Sequence, residues 1–307
     1  MDLEAMRIFV RVAELQSFTQ AAQVLGLPRA TVSAAVQRLE SQLAVRLLQR
    51  TTRQVRMTPD GERFYARCRE LLVELEELQG MFRPDPAGVQ GRLRVDMPTG
   101  TARHVVVPRL LEFLQAHPEL HIELGSTDRR VDLVGEGFDC VLRVGPLDDS
   151  SLVARPLGHF ARINCASRPY LERHGVPRTP QELRQHRLVH YAAALGAAAP
   201  GFEYVDPEGG EVRHVPMAGS LTVNNAQAYE AACLAGLGII QAPDVGLRQH
   251  LRSGELVEIL PGHRAAPLPV TLLYPSRQHM ARRLQVFMDW LQSVLRPHLM
   301  EASGARG

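Results

Sequence analysis

Ser17-Phe18-Thr19-Gln20, Gly26 and Pro28 fall so close together that residues 3–43 can only be three short helices joined by tight turns. Ser17 with Gln20 three residues on is a capping box, which satisfies N–H groups that a starting helix leaves bare. Gly26 is the residue type that ends a helix in the left-handed conformation. Pro28 suits a first helical position, where its missing N–H is not needed. Met6, Phe9, Val10 and Ala13 recur at helical spacing behind Asp2 as a cap. Ala21, Ala22, Val24 and Leu25 follow the box, and Val32, Val36, Leu39 and Leu43 line one face of a third helix over 30–42. Helix, glycine turn, helix is the pattern of a helix-turn-helix, a form that also occurs as plain architecture.

Charge bears on which of the two it is. The 307-residue chain has a net charge of only +2, and all 35 of its basic residues are arginine. Between 29 and 56, however, Arg29, Arg38, Arg46, Arg50, Arg53 and Arg56 stand against the single acid Glu40, a local balance of +5. A phosphate backbone attracts such an excess, although a merely solvated basic face has the same composition. Residues 47–50 and 54–57 then read as two short strands around Thr51-Thr52-Arg53. Such a wing brings an arginine tip to a minor groove while the third helix suits the wider major groove.

Phe18-Thr19-Gln20-Ala21-Ala22, Thr31-Val32-Ser33, Val36-Gln37-Arg38-Leu39-Glu40, Leu43, Leu47-Leu48, Arg50-Thr51-Thr52-Arg53 and Thr58-Pro59-Asp60-Gly61 resemble the winged helix-turn-helix of LysR-type transcriptional regulators. The resemblance implies an N-terminal all-α winged helix-turn-helix domain over 1–58. Its third helix would read bases through Arg29, Ala30, Thr31 and Ser33, with Gln37 and Arg38 on the same DNA-binding face. Arg50, Thr51, Thr52 and Arg53 would hold the backbone or the minor groove. Pro28 stands where these regulators often have serine or threonine, and Ala34 where many carry arginine. Alanine makes no bidentate contact with guanine, which shifts specificity toward Arg29, Ser33, methyl contacts from Ala30 and Thr31, and DNA shape.

Thr58 as a cap and Pro59 as first residue open a fourth helix, in which Phe64, Cys68, Leu71, Leu75 and Leu78 recur by fours and threes between charged residues. This is a seam for pairing two helices, the alternative being a helix packed on its own domain. It resembles the family's linker helix, here 59–80, which makes the protein a dimer with two reading heads for two half-sites. Pro84, Pro86 and Gly88 then break the pattern, giving a hinge at 81–91.

From residue 92 on, alternating strands and helical patterns interleave, with strands near 92–97, 121–124, 140–144, 162–166, 188–191, 221–223, 238–241 and 270–274. That is an α/β pattern with a mostly parallel sheet. Ligands in such folds bind where strands end and helices begin. Thr99-Gly100-Thr101, Ser126-Thr127 and Asn224-Asn225 fit that description, each as readily a helix cap as a ligand contact. With Gly137-Phe138-Asp139, Arg143-Val144-Gly145, Cys165-Ala166-Ser167 and Ala235-Gly236-Leu237-Gly238-Ile239 they resemble the same family's C-terminal α/β effector domain, here 92–298. It has two Rossmann-like subdomains similar to type 2 periplasmic binding proteins, I at about 92–161 and 268–296 and II at about 164–267, before a tail at 299–307. The resemblance implies a cleft lined by Thr99, Gly100, Thr101, Ser126, Thr127, Arg143, Gly145, Phe202, Asn224 and Asn225. Arg143 suits a carboxylate clamp or an ion pair with a nearby acid, and Phe202 suits an effector contact or a core position. The alanine-rich run 192–199 reads as a surface loop.

Other classes lose ground. Residues 1–10 contain Asp2 and Glu4 and no basic stretch before an apolar run, so no export signal is expected, which weakens a solute-binding role. No stretch approaches the roughly 20 apolar residues of a membrane span. Cys68, Cys140, Cys165 and Cys233 lie far apart and read as buried thiols, and the 12 histidines are scattered. Without HExxH, GxSxG, P-loop or dinucleotide patterns there is no handle for a metal, a cofactor or catalysis. The expectation is a bacterial transcriptional regulator in the cytoplasm and on the nucleoid. Its partners would be double-stranded promoter DNA, a small-molecule effector such as a carboxylate or aromatic metabolite, RNA polymerase, and further copies of itself as a homodimer or homotetramer.

Overall fold

A computed structural model describes residues 2–50, 55–80, 89–129, 131–147, 152–192, 195–196, 201–275 and 280–300. The chain divides into two compact units, one built mainly from Met1–Gly88 and a larger one that begins at Val89.

The first unit contains α1 (Leu3–Leu15), α2 (Phe18–Leu25), α3 (Arg29–Leu43), strands β1 (Leu48–Arg50) and β2 (Val55–Met57), and α4 (Pro59–Gly80). Its caps follow the sequence. The Asp2 carboxylate accepts the Glu4 N–H, the Ser17 hydroxyl accepts the Gln20 N–H, and Gly26 ends α2 at φ 65°. Pro28 sits one position earlier than the sequence suggests, at the capping position, with Arg29 as the first helical residue. Phe9, Val12, Ala21, Val32, Val36 and Leu39 fill the core between the three helices. β1 and β2 form an antiparallel hairpin in the register Leu48↔Met57. The Thr58 hydroxyl caps α4 by accepting the Gly61 N–H at 2.9 Å and donates to the Arg46 carbonyl at 2.6 Å. Gly61 is required by closeness alone, since a Cβ there would lie 2.0 Å from the Leu47 carbonyl oxygen.

The expected pairing seam on α4 is split. Phe64 packs on Phe9 with ring centroids 5.4 Å apart, and Cys68 is sealed inside the unit's own core, where burial pushes its thiol up to about 11. Fourfold spacing marks an apolar stripe without saying whose core it meets, and here its first two positions serve the same chain. Leu71 is 46% exposed and Leu75 half-buried, while the Leu78 side chain lies outside the described residues.

The second unit has two lobes. In the first lobe, β3 (Gly91–Met97) runs into a helix of three stretches: α5 (Thr99–Thr101), a π-helical turn over Ala102–Val106, and α6 (Val107–Ala116). There follow β4 (Leu120–Ser126), β5 (Cys140–Val144) and β6 (Val153–Phe160). The chain then crosses to the second lobe. That lobe holds β7 (Arg162–Ser167), α7 (Arg168–His174), β8 (His190–Tyr191), β9 (Phe202–Val205), β10 (Val212–Val215), β11 (Thr222–Val223), α8 (Ala226–Leu234), β12 (Ile240–Pro243), α9 (Asp244–Ser253) and β13 (Leu256–Glu258). It returns through β14 (Leu268–Tyr274) and α10 (Arg282–Leu295).

Neither sheet is as parallel as expected. The first lobe's order is β4-β3-β5-β14-β6, with β3 parallel to β4 and β5 but β14 antiparallel to both β5 and β6. The second lobe's β12-β7-β13 sheet is antiparallel, while the short β8–β11 pair is parallel. A chain that leaves one lobe and re-enters it need not come back by a helical crossover, so alternating element types did not guarantee a parallel sheet. Met300, expected in a tail, bridges His159 on β6 through a 2.8 Å backbone bond.

Candidate functional site

Two surfaces carry chemistry, one in each unit. On α3 the side chains of Arg29, Ala30, Thr31, Gln37 and Arg38 are exposed along with Ala34, whereas Ser33 is half-buried. The one acid of the basic segment is spoken for. Glu40 turns inward, and its Oε1 accepts the N–H groups of Leu47 at 2.9 Å and Leu48 at 3.1 Å, tying α3 to the first strand of the hairpin. Among the described residues of this stretch, Arg29, Arg38, Arg46 and Arg56 are all exposed. Arg50 occupies the end of β1 by its backbone; its side chain, and Thr51, Thr52 and Arg53, lie outside the described residues.

In the second unit a cavity of about 380 Å³ opens between the lobes. From the first lobe it is lined by the segments after β3 (Pro98, Gly100, Thr101), after β4 (Thr127, Asp128) and at the end of β5 (Arg143 to Pro146). The second lobe adds Arg162 of β7, His190 and Tyr191 of β8, Tyr229 and Glu230 of α8, and Gln241 to Pro243 of β12. Leu188, Val189, Ile240, Val245 and Leu268 make much of the wall apolar, the usual character of a small-molecule pocket.

Of the residues expected at a cleft, Gly100, Thr101, Thr127, Arg143 and Gly145 meet at this cavity. Thr99 stands just behind, with its N–H and hydroxyl both given to Asp128. The others do not line it. Ser126 is exposed at the end of β4. Asn225 caps α8 by accepting the Ala228 N–H at 2.8 Å, and Asn224 is exposed beside it. Phe202 is fully buried in the second lobe's core with Tyr170, Leu183 and Ile239, so the core reading of it holds. Most of the 192–199 run lies outside the described residues.

Arg143 makes the ion pair that its sequence position allowed. Nη1 donates to Asp96 at 3.1 Å, and the Asp96 side chain is wholly buried. Its Nη2 is buried without a hydrogen-bond partner, and His190, another residue of the lining, has a buried Nδ1 that also lacks one. Arg162 pairs with Glu203 and donates from Nε to the Ala266 carbonyl. Gln241 locks the floor. It accepts the Glu203 N–H at 2.8 Å and donates to Asn164 at 2.8 Å and to the Glu203 carbonyl at 2.7 Å, a saturated network of the kind that rigidifies a site. Burial, helped by the Asp128 charge, pushes the Tyr191 phenol up to about 12, and burial likewise raises Tyr229. Glu230 also reaches His250 on α9 at 3.1 Å; His250 is held above the usual histidine range chiefly by its bond to Glu255. None of these second-lobe residues stood out in the sequence, because each becomes a neighbour of the others only through the fold.

Among the described residues no group of His, Cys, Asp and Glu is placed to hold a metal ion, and no helix is long and apolar enough to cross a membrane.

Known proteins match both surfaces. The family pattern for the bacterial regulatory helix-turn-helix protein, lysR family, covers residues 3–62, and that for the LysR substrate binding domain covers 86–296. The chain is 46% identical to an uncharacterized HTH-type transcriptional regulator, YhjC, of Escherichia coli K12, over 97% of this chain and 99% of that one. It is 36% identical to an HTH-type transcriptional repressor of Pseudomonas aeruginosa, over 95% and 92%. Among solved structures, full-length AphB, a virulence activator of Vibrio cholerae, matches with a TM-score of 0.60 at 32% identity, over 97% of this chain and 100% of that one. An exposed arginine face on a winged helix-turn-helix, a cavity between two α/β lobes, and relatives matched nearly end to end have one explanation: the chain belongs to the LysR family of transcriptional regulators.

Proposed function

We propose that the protein binds double-stranded promoter DNA in bacterial cells through the α3 face and the hairpin, and changes its DNA occupancy or bending when a small molecule fills the cavity of its second unit. The observation that carries the DNA half is the outward arginine surface whose one acid, Glu40, is consumed internally. The divisions 1–58, 59–80, 81–91 and 92–298 then act as reading head, pairing helix, hinge and effector domain. Exposed Leu71 and half-buried Leu75 support pairing of two α4 helices in a homodimer, the step from which a homotetramer would be built. The effector contributes binding energy and no bond is made or broken, so the protein acts without catalysis, a metal or a cofactor, on nucleoid DNA and alongside RNA polymerase.

Arg38→Ala in the full chain should weaken binding to every sequence alike and lower the slope of log affinity against log salt by about 1, as loss of a phosphate contact does. Arg29→Ala should instead relax sequence preference, by about 1–3 kcal/mol at the bases it meets. Gel-shift titrations at several salt concentrations, and selection from a random DNA pool, separate the two. An unchanged salt slope for Arg38→Ala removes it from the DNA face.

For the cavity, a thermal-shift screen of carboxylates and aromatics against the full chain should give a compound whose stabilisation falls at least tenfold in potency with Arg143→Lys. Lysine keeps a cation beside Asp96 and removes the unpartnered Nη2. A compound equally potent on both proteins binds elsewhere.

A further inference from the structure

Asp128 occupies an unusual position for a carboxylate in a ligand cavity. Its Oδ1 accepts the Thr99 N–H at 3.0 Å, and its Oδ2 accepts both the Thr99 hydroxyl and the Ala226 N–H, the latter at 2.6 Å. Thr99 is the first residue of the helical run after β3, in the first lobe. Ala226 is the first residue of α8, in the second. The side chain thus spans the cleft and takes up N–H groups at the start of two helices, the place where a fold of this kind offers its best seat to a negative group. Here the seat is filled from within.

We propose that Asp128 is the cavity's resident anion, closing that seat to ligands, so that the cavity selects compounds with an apolar body and a single acid or acceptor group, directed at Arg143, over diacids. This rests on the cavity being the effector site for its ligand half only.

The charge balance of the lining supports it. Asp128, Glu203 and Glu230 line the cavity and Asp96 backs Arg143, four carboxylates against the guanidiniums of Arg143 and Arg162. Nη1 of Arg143 is used by Asp96 and Arg162 is paired with Glu203, which leaves Nη2 of Arg143 as a buried donor without an acceptor. One acceptor satisfies it. A second acid on the same ligand would enter a lining already rich in carboxylates, whose negative field reaches the Tyr191 phenol from Asp128. The apolar wall of Phe160, Val189, Ile240 and Leu268 suits the remainder of such a molecule.

The test uses the full chain and Asp128→Ala, melted in sodium formate and in sodium chloride at equal ionic strength. Wild type should melt alike in both salts. Asp128→Ala should melt several degrees lower in chloride and regain at least half of that loss in formate, saturably at millimolar concentrations, because formate fits the vacated seat. Melting points that are the same in formate and chloride for the variant overturn the proposal. If the variant folds poorly, the yield of refolded protein gives the same reading: more in formate supports the seat, equal yields overturn it. Benzoate and terephthalate then probe selectivity. The potency of terephthalate relative to benzoate should rise at least tenfold in Asp128→Ala, and a wild type stabilised by the diacid as strongly as by the monoacid overturns the ligand half. Should neither acid move wild type, formate alone decides. Formate reads the seat without any effector, so it fails or succeeds independently of the Arg143→Lys screen.

Discussion

Gly61→Ala should cost the N-terminal unit about 3 kcal/mol or more. The new Cβ would stand 2.0 Å from the Leu47 carbonyl oxygen, well inside contact distance. Neither side can retreat easily. Leu47 is fully buried, its N–H is held by Glu40, and its carbonyl accepts the Thr58 N–H at 3.0 Å. On the other side Gly61 sits in the first turn of α4, its N–H bonded to the Thr58 hydroxyl. Relief therefore means swinging the start of α4 away and losing the cap, itself worth about 1 kcal/mol. Gly26→Ala is the control, because Gly26 needs only its positive φ and has nothing within 4 Å of a Cβ. It should cost about 1 kcal/mol. Circular dichroism melts of both variants measure the difference; equal losses would mean that α4 does not depend on the close approach. DNA binding should fall with Gly61→Ala, since hairpin and helix are anchored through the same carbonyl.

Arg143→Ala is expected to cost the second unit about 3 kcal/mol, the range found when a buried pair loses one partner. The Asp96 side chain is fully buried, and Thr127 offers it hydroxyl contacts only at 3.4 Å. Removing the guanidinium at 3.1 Å takes away a direct ion-pair partner of a carboxylate that stays in the interior. Asp96→Asn made together with Arg143→Met should recover much of that loss, since an uncharged, well-filled pair does not bear the cost of isolated charge. Thermal melts of the single and double variants decide it, a double variant no better than Arg143→Ala placing the cost in lost packing instead. Loss of an effector response in Arg143→Ala is thus no sign of a ligand contact. Arg143→Lys is the informative change.

What the sequence shows clearly in this chain is whatever depends on near neighbours. Asp2, Ser17, Gly26 and Thr58 each cap or end the helix beside them, and the structure puts each at the helix end its type implies. The apolar stripes of α1 and α3 were legible for the same reason. Phe64 and Cys68 were legible as apolar positions but not as to partner, because one stripe can serve the same chain or a second copy. Asn225 was a cap and Phe202 a core residue, each the plainer of two readings open to it. Asp128 could not be found at all. Its role comes from Thr99 and Ala226, which lie 29 and 98 residues away and meet it only when both lobes are folded.

Glu40 has a consequence for the DNA itself. By fastening the start of β1 to the body of α3 with two hydrogen bonds, it makes helix and hairpin a single stiff caliper rather than two jaws that adjust separately. In the proposed mode of binding, the offset between the groove that admits the helix and the neighbouring groove that meets the hairpin would then be fixed by the protein. Any mismatch must be taken up by twisting or narrowing the duplex, and stiff and pliant base steps differ in what that deformation costs. In that mode of binding, a carboxylate spent on the protein's own backbone would help decide which sequences are easy to hold.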